Sequence, residues 1–209
     1  MRVERWLPAS GIVFVVLVLV AFVGGGSTPD SKSSAAKVAS FYDTHSTRHF
    51  VVAVLLGATG PFIVLFGTSL AGRYPGRSRW PWNVAVVASA GVVAALFLVS
   101  AFIHFALADA GNNGVGGDAI RALNMLDSDT WIGFNAALGT FMLAVAGLRL
   151  TSDAAARWLG WVALVLGVAL LIPFADFIGL ILTGVWILVE SFRLTRQPDA
   201  APAAALGTA

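Results

Sequence analysis

Six long apolar stretches constrain this chain more than any other feature: Pro8–Gly25, Phe50–Ala71, Asn83–Ala108, Trp131–Leu148, Trp158–Pro173 and Phe177–Glu190. Crossing a bilayer as a helix takes roughly 20 apolar residues at about 1.5 Å each. The first four stretches meet or approach that length. The last two are shorter and share the turn Pro173-Phe174-Ala175-Asp176, which predicts a tight helical hairpin. With 58% hydrophobic residues and a mean hydropathy of +0.84, little polar surface remains for a separate soluble domain. The expectation is one all-α membrane domain over residues 1–196, a polytopic bundle of six transmembrane helices. A disordered cytoplasmic tail over residues 197–209 follows it.

The loops fix an orientation. With the N-terminus inside, the inner segments carry nine arginines: Arg2, Arg5, Arg73, Arg77, Arg79, Arg149, Arg157, Arg193 and Arg196. The outer segments carry Lys32, Lys37, Arg48 and Arg121. Acids run the other way, with Asp30, Asp43, Asp109, Asp118, Asp127, Asp129 and Asp176 outside. Positive charge retained in short inner loops predicts an N-in/C-in, multi-pass protein of the bacterial plasma membrane. The same distribution accounts for a pI near 9.5 at a net charge of only +2, so no nucleic-acid partner is expected. The first stretch also has the parts of a signal peptide, but it is long enough to span and lacks an Ala-x-Ala site. It reads as a retained helix.

Along the chain, Gly24–Ser34 reads as a flexible outer loop and Ser33 or Ser34 as the N-cap of an outer interfacial helix before helix 2. Pro61 predicts a kink in the second span. Trp80 and Trp82 read as inner interface residues. Asp109–Thr130 reads as a mobile second outer loop, with Asp127-Ser128-Asp129 opening the fourth span. Small residues four apart, Ala85/Ser89, Ala90/Ala94 and Gly133/Ala137, are candidates for close helix contact. No internal repeat supports an inverted-repeat transporter.

Chemistry is sparse. With no cysteine in the chain, disulfides, thiolate metal sites and covalent haem are excluded. No span has a charged residue near its centre, which argues against an ion-coupled transporter. Glu190, at the inner end of the last span, reads as a snorkelling partner of Arg193 and Arg157. The remaining polar residues gather outside. His45 and His49 are four apart and share a helix face, a spacing able to chelate a metal or simply to sit among lipid headgroups. His104 falls one turn inside the third span, Asn135 one turn inside the fourth, and Asp176 at the tip of the hairpin. Asp127 and Asp129 read most simply as first-turn acids. Convergence of these groups would give an outward pocket walled by Phe41, Tyr42, Phe102, Phe105, Trp131 and Phe134. Its ligand-binding candidates are His45, His49, His104, Asn135, Asp176 and Trp131. Haem b between two histidines would need facing ligands inside the bundle, and only His104 qualifies clearly. No metal site and no cofactor are therefore expected, and neither a nucleophile elbow nor a phosphate loop is present.

A basic start, the outer segment Ala35–Tyr42 leading into span two, and an arginine-rich inner loop are similar in layout to small six-span membrane proteins of unassigned function from GC-rich Gram-positive bacteria. The resemblance covers most of the chain, implies no activity and carries no functional residue across. Three readings stay open. One is a protein whose outer pocket binds a small ligand, lipid or membrane-protein partner. Another is a membrane-embedded enzyme on an isoprenoid or lipid substrate, with Asp176 as acid and His104 as its base. The third is an accessory subunit of a membrane complex.

Overall fold

The computed structural model describes residues 6–74, 79–152 and 157–196. The basic start, the middle of the first inner loop and the tail after Arg196 lie outside them. A 3-10 turn at Leu7–Ala9, with Pro8 in its first positions, leads into α1 (Ser10–Gly25). There follow α2 (Ala35–Arg73), α3 (Trp80–Asn112), α4 (Gly117–Leu150), α5 (Arg157–Leu171) and α6 (Asp176–Arg196). Each helix packs on the next, and α1 returns against α6 to close the bundle. No strand occurs among the described residues.

Five of the helices are long and apolar enough to cross a membrane; α5, at 15 residues, is the short one. Large apolar side chains face outward along the bundle, among them Leu19, Val92, Val165, Ile181 and Val185. A soluble monomer rarely exposes such a continuous apolar surface. The helix lengths, their hydropathy and this outward surface fit a multi-pass integral membrane protein.

Helices α2, α3 and α4 run 39, 33 and 34 residues. At 1.5 Å per residue they are about 50 to 59 Å long, well beyond the roughly 30 Å of a hydrocarbon core. The surplus stands at one end of the bundle as a three-helix knob with its own core of Val38, Tyr42, Ile103, Leu107, Ala110 and Ile120. Two expectations change here. Asp109–Thr130 is not a loop: α3 runs to Asn112, α4 starts at Gly117, and the connection is Asn113–Gly116, with Gly114 at φ 63°. The helical repeat of buried Ile120 and Asn124 supplies the face that docks it. The helix expected at the interface is likewise continuous with the second apolar stretch, capped by Ser34, whose hydroxyl accepts from the Lys37 N–H at 3.3 Å. A break survives only at His45 (φ −115°, ψ 15°), whereas backbone angles stay helical through Pro61.

Close approach explains two crossings. A Cβ at Gly111 would lie 2.5 Å from the Tyr42 carbonyl carbon, so α3 touches the α2 backbone there. Deeper in the bundle, Gly60 and Gly67 of α2 face Ala94 and Ala90 of α3, which gives the Ala90/Ala94 pair its contact.

At the opposite end the arginines gather, and one of them enters the interior. Arg149 and Glu190 are both fully buried and paired. Arg193 donates from Nε to Glu190 Oε2 at 3.2 Å and from Nη2 to the Tyr74 hydroxyl at 3.2 Å. The Arg149 guanidinium carbon lies 5.1 Å from the centroid of the Tyr74 ring. Glu190 is therefore a buried tie between α4 and α6 rather than a snorkelling group, and its partners are Arg149 and Arg193. Arg149, read from sequence as an inner-segment arginine, is turned into the packed helices from the last turn of α4.

Candidate functional site

The half of the bundle that carries the knob is organised by the break at His45. Its Nδ1 lies 2.8 Å from the Phe41 carbonyl, the group its own amide would ordinarily use in a helix, and its ring stacks on Phe41 at 4.5 Å. One turn further on, His49 is fully buried against Tyr42, with ring centroids 4.8 Å apart. From α3, His104 stacks on His49 at 5.3 Å and 15°, with the two Nδ1 atoms 3.1 Å apart. On its other side, His104 Nε2 lies 3.6 Å from Asp127 Oδ1 on α4. Asp127, His104 and His49 thus form one line across three helices. Both Asp127 and His104 are mostly buried, with 14% and 13% of their side chains exposed.

From sequence Asp127 read most simply as a first-turn acid, though also as one of the groups that could converge on a pocket. It sits well inside α4 instead, and the helix N-terminus is served by Asp118. His49, marginal from sequence, is instead buried and faces His104 across the α2–α3 contact. Among the described residues, no three of His, Asp and Glu converge as a metal cluster.

A cavity of about 170 Å³ opens beside this line, between α1, α2, α3 and α4. His104, Asp127, Ser100 and Thr130 supply its polar edge, and Phe22, Phe97, Trp131 and Phe134 much of its apolar wall. The rings interlock: Phe97 on Phe134 at 4.8 Å, and Trp131 edge-on to Phe22 at 6.3 Å. The α1–α2 connection contributes Gly26 and Thr28 to the lining. Two polar ties hold that connection down. Asn124 Nδ2 donates to the Pro29 carbonyl at 3.0 Å, while its Oδ1 accepts from the Tyr42 hydroxyl at 3.0 Å. Arg48 Nε donates to the Gly24 carbonyl at 2.5 Å. Asp30 accepts from Ser33 Oγ at 3.0 Å, and that hydrogen bond holds its carboxyl below the usual carboxylate range.

The sequence candidates divide between three places. His104 and Trp131 line the cavity, while His49 stands behind His104. Asp176 accepts from Trp131 Nε1 and Asn135 Nδ2, each at 3.0 Å, so the hairpin tip positions the Trp131 wall. The contacts of Asp176 and His104 do not include each other: His104 has His49 and Asp127. His45 lines a neighbouring groove with Arg48 rather than the cavity. Of the expected aromatic wall only Trp131 and Phe134 are present; Phe102 and Phe105 point outward, and Phe41 and Tyr42 surround the histidines. Residues missed were Phe22, Phe97 and Asn124. For Asp127 a signal existed: counted from the Gly114 turn, His104 lies about as far back along α3 as Asp127 lies forward along α4.

No family model matches the chain, and no curated protein and no solved structure is detectably similar to it.

Proposed function

We propose that the chain is a six-span protein of the bacterial plasma membrane, N-in and C-in, whose outer cavity binds a small lipophilic ligand or lipid. The short α5 counts as the fifth span, with local bilayer thinning or the neighbouring α4 and α6 covering its missing length. The supporting observation is the half-open, mostly apolar cavity with the Asp127 and His104 pair at its polar edge. Cavities of this kind, mostly apolar with few polar groups, are the usual form of a small-molecule site.

Native mass spectrometry of the protein released from mild detergent tests this reading. The wild type should retain an adduct of lipid-like mass, and Ser100→Phe, which fills the cavity, should lose it. A bare wild type, or equal adducts in both, overturns the proposal.

A second reading, a membrane-embedded enzyme acting on an isoprenoid or lipid, draws support from the same pair. Asp127, not Asp176, stands next to His104 and would take the carboxylate's role in acid–base chemistry.

A further inference from the structure

We infer that the outer cavity is built for a lipophilic monocation, the head of a hydrophobic amine or quaternary ammonium ion, and that this cation competes with a proton for the Asp127–His104 pair. The inference rests on the cavity being a ligand site and names the ligand's charge.

Formal charge carries the argument. Asp127 is the one acidic residue in the lining, and among the described residues no lysine or arginine lines the cavity. Four aromatic residues, Phe22, Phe97, Trp131 and Phe134, share the lining with it. A carboxylate at the edge of an aromatic-lined cavity attracts a cation through its charge, and a ring face that meets the cation adds the attraction of its quadrupole. An anionic ligand would meet repulsion from both. A neutral ligand would leave the carboxylate desolvated without a counter-charge. The volume points the same way. At about 170 Å³ the cavity is smaller than the roughly 300 Å³ at which drug-sized sites begin. It suits a compact head group whose tail leaves between the helices.

Proton competition follows from His104. Its Nε2 is 3.6 Å from Asp127 Oδ1, so a proton on the imidazole supplies the same counter-charge that a bound cation would. Either occupant neutralises the carboxylate; both together place two positive charges on one negative. The groups facing the pair are few. On α2 they are His49, which touches His104, with Tyr42, His45 and Arg48 beyond it; the Arg48 guanidinium packs on Gly26 of the lining and donates to the Gly24 carbonyl. The α1 residues in the lining, Ala21, Phe22 and Gly25, carry no titratable side chain. From α6, Asp176 acts only through Trp131.

The test uses the full chain in nanodiscs, with two probes of one shape: benzyltrimethylammonium and its neutral carbon isostere, neopentylbenzene. Tryptophan fluorescence and calorimetry report binding. The cation should bind at least about tenfold more tightly than the isostere, as expected for a desolvated charge contact with ring faces. Its affinity should fall by up to about tenfold per pH unit once the pair begins to hold its proton, as linkage of one proton requires. Asp127→Asn, of nearly equal shape, should abolish the preference for the cation while its melting temperature shows that it folds. Wild-type protein that binds the isostere as well as the cation sinks the charge assignment and leaves the ligand cavity standing. If neither probe binds the wild type, both fall. Retained preference in Asp127→Asn removes the carboxylate from the role.

Discussion

His49 and His104 meet Nδ1 to Nδ1 at 3.1 Å across the α2–α3 contact, so one proton lies between two nitrogens. The flanking groups decide which ring carries it. Asp127 faces His104 Nε2, and a carboxylate is met there by an N–H rather than by a lone pair. His104 then accepts at Nδ1, and His49 donates from its own Nδ1. The consequence is a bare lone pair on His49 Nε2, which is buried without a partner. The opposite arrangement would bury an N–H donor there and turn a lone pair toward Asp127, the costlier choice. With both rings neutral, side-chain nitrogen NMR should find His104 protonated on Nε2 and His49 on Nδ1. The reverse tautomers would refute the arrangement.

Burial of Arg149 and Glu190 makes a strong prediction about stability. Removing one partner of a fully buried pair strands the other charge, at about 3–5 kcal/mol. Glu190→Ala should therefore lower the unfolding free energy in micelles by that order. Apolar replacement of both, Arg149→Met with Glu190→Leu, should recover much of the loss, although Arg193 would lose its carboxylate partner. A double variant as unstable as the single one would show that the pair itself, rather than the stranded charge, sets the stability.

Hydropathy made the lipid-facing portions legible and little else. A stretch such as Trp131–Leu148 announces itself because each residue must tolerate hydrocarbon. The preceding Gly117–Thr130 is polar on one side and packs on α2 and α3 with the other, so an apolar scan ends too early. Asp127 was consequently read as a helix start and its position beside His104 missed. Arg149 was hidden for a related reason. Its partner Glu190 is 41 residues away, and nothing local distinguishes a loop arginine from one turned inward. His104 and Trp131 were legible as polar or amphipathic groups near the outer ends of spans, where few such residues occur.

The tie between Asn124, Tyr42 and the Pro29 carbonyl predicts how the cavity roof is held. Asn124→Ala removes both hydrogen bonds and frees the connection over residues 26–34. Limited proteolysis there should accelerate several-fold. Tyr42→Phe leaves the Asn124–Pro29 bond in place and should cost about 1 kcal/mol with little change in cleavage. Equal cleavage in wild type and Asn124→Ala would mean that this carbonyl contact does not restrain the roof.

Orientation can be read chemically because the chain contains no cysteine. In intact cells, a membrane-impermeant maleimide should label Ser31→Cys and leave Thr195→Cys unmodified until the membrane is opened. Labelling of Thr195→Cys from outside would invert the proposed topology and place the cavity on the cytoplasmic side.

Two helix glycines should respond in opposite directions to the same methyl group. At Gly111 an added Cβ would press on the α2 backbone at Tyr42 and Asp43, and neither backbone can rotate away. Overpacking of this sort costs about 1–3 kcal/mol, so Gly111→Ala should destabilise the outer knob. At Gly91 nothing lies within 4 Å of the new carbon. There the substitution only removes the backbone freedom that glycine loses on forming a helix, which favours alanine by about 0.8–1 kcal/mol. Gly91→Ala should therefore raise the melting temperature in detergent while Gly111→Ala lowers it. If both variants melted together, the tight α2–α3 crossing at Tyr42, which sets the height of His49 against His104, would have to be abandoned.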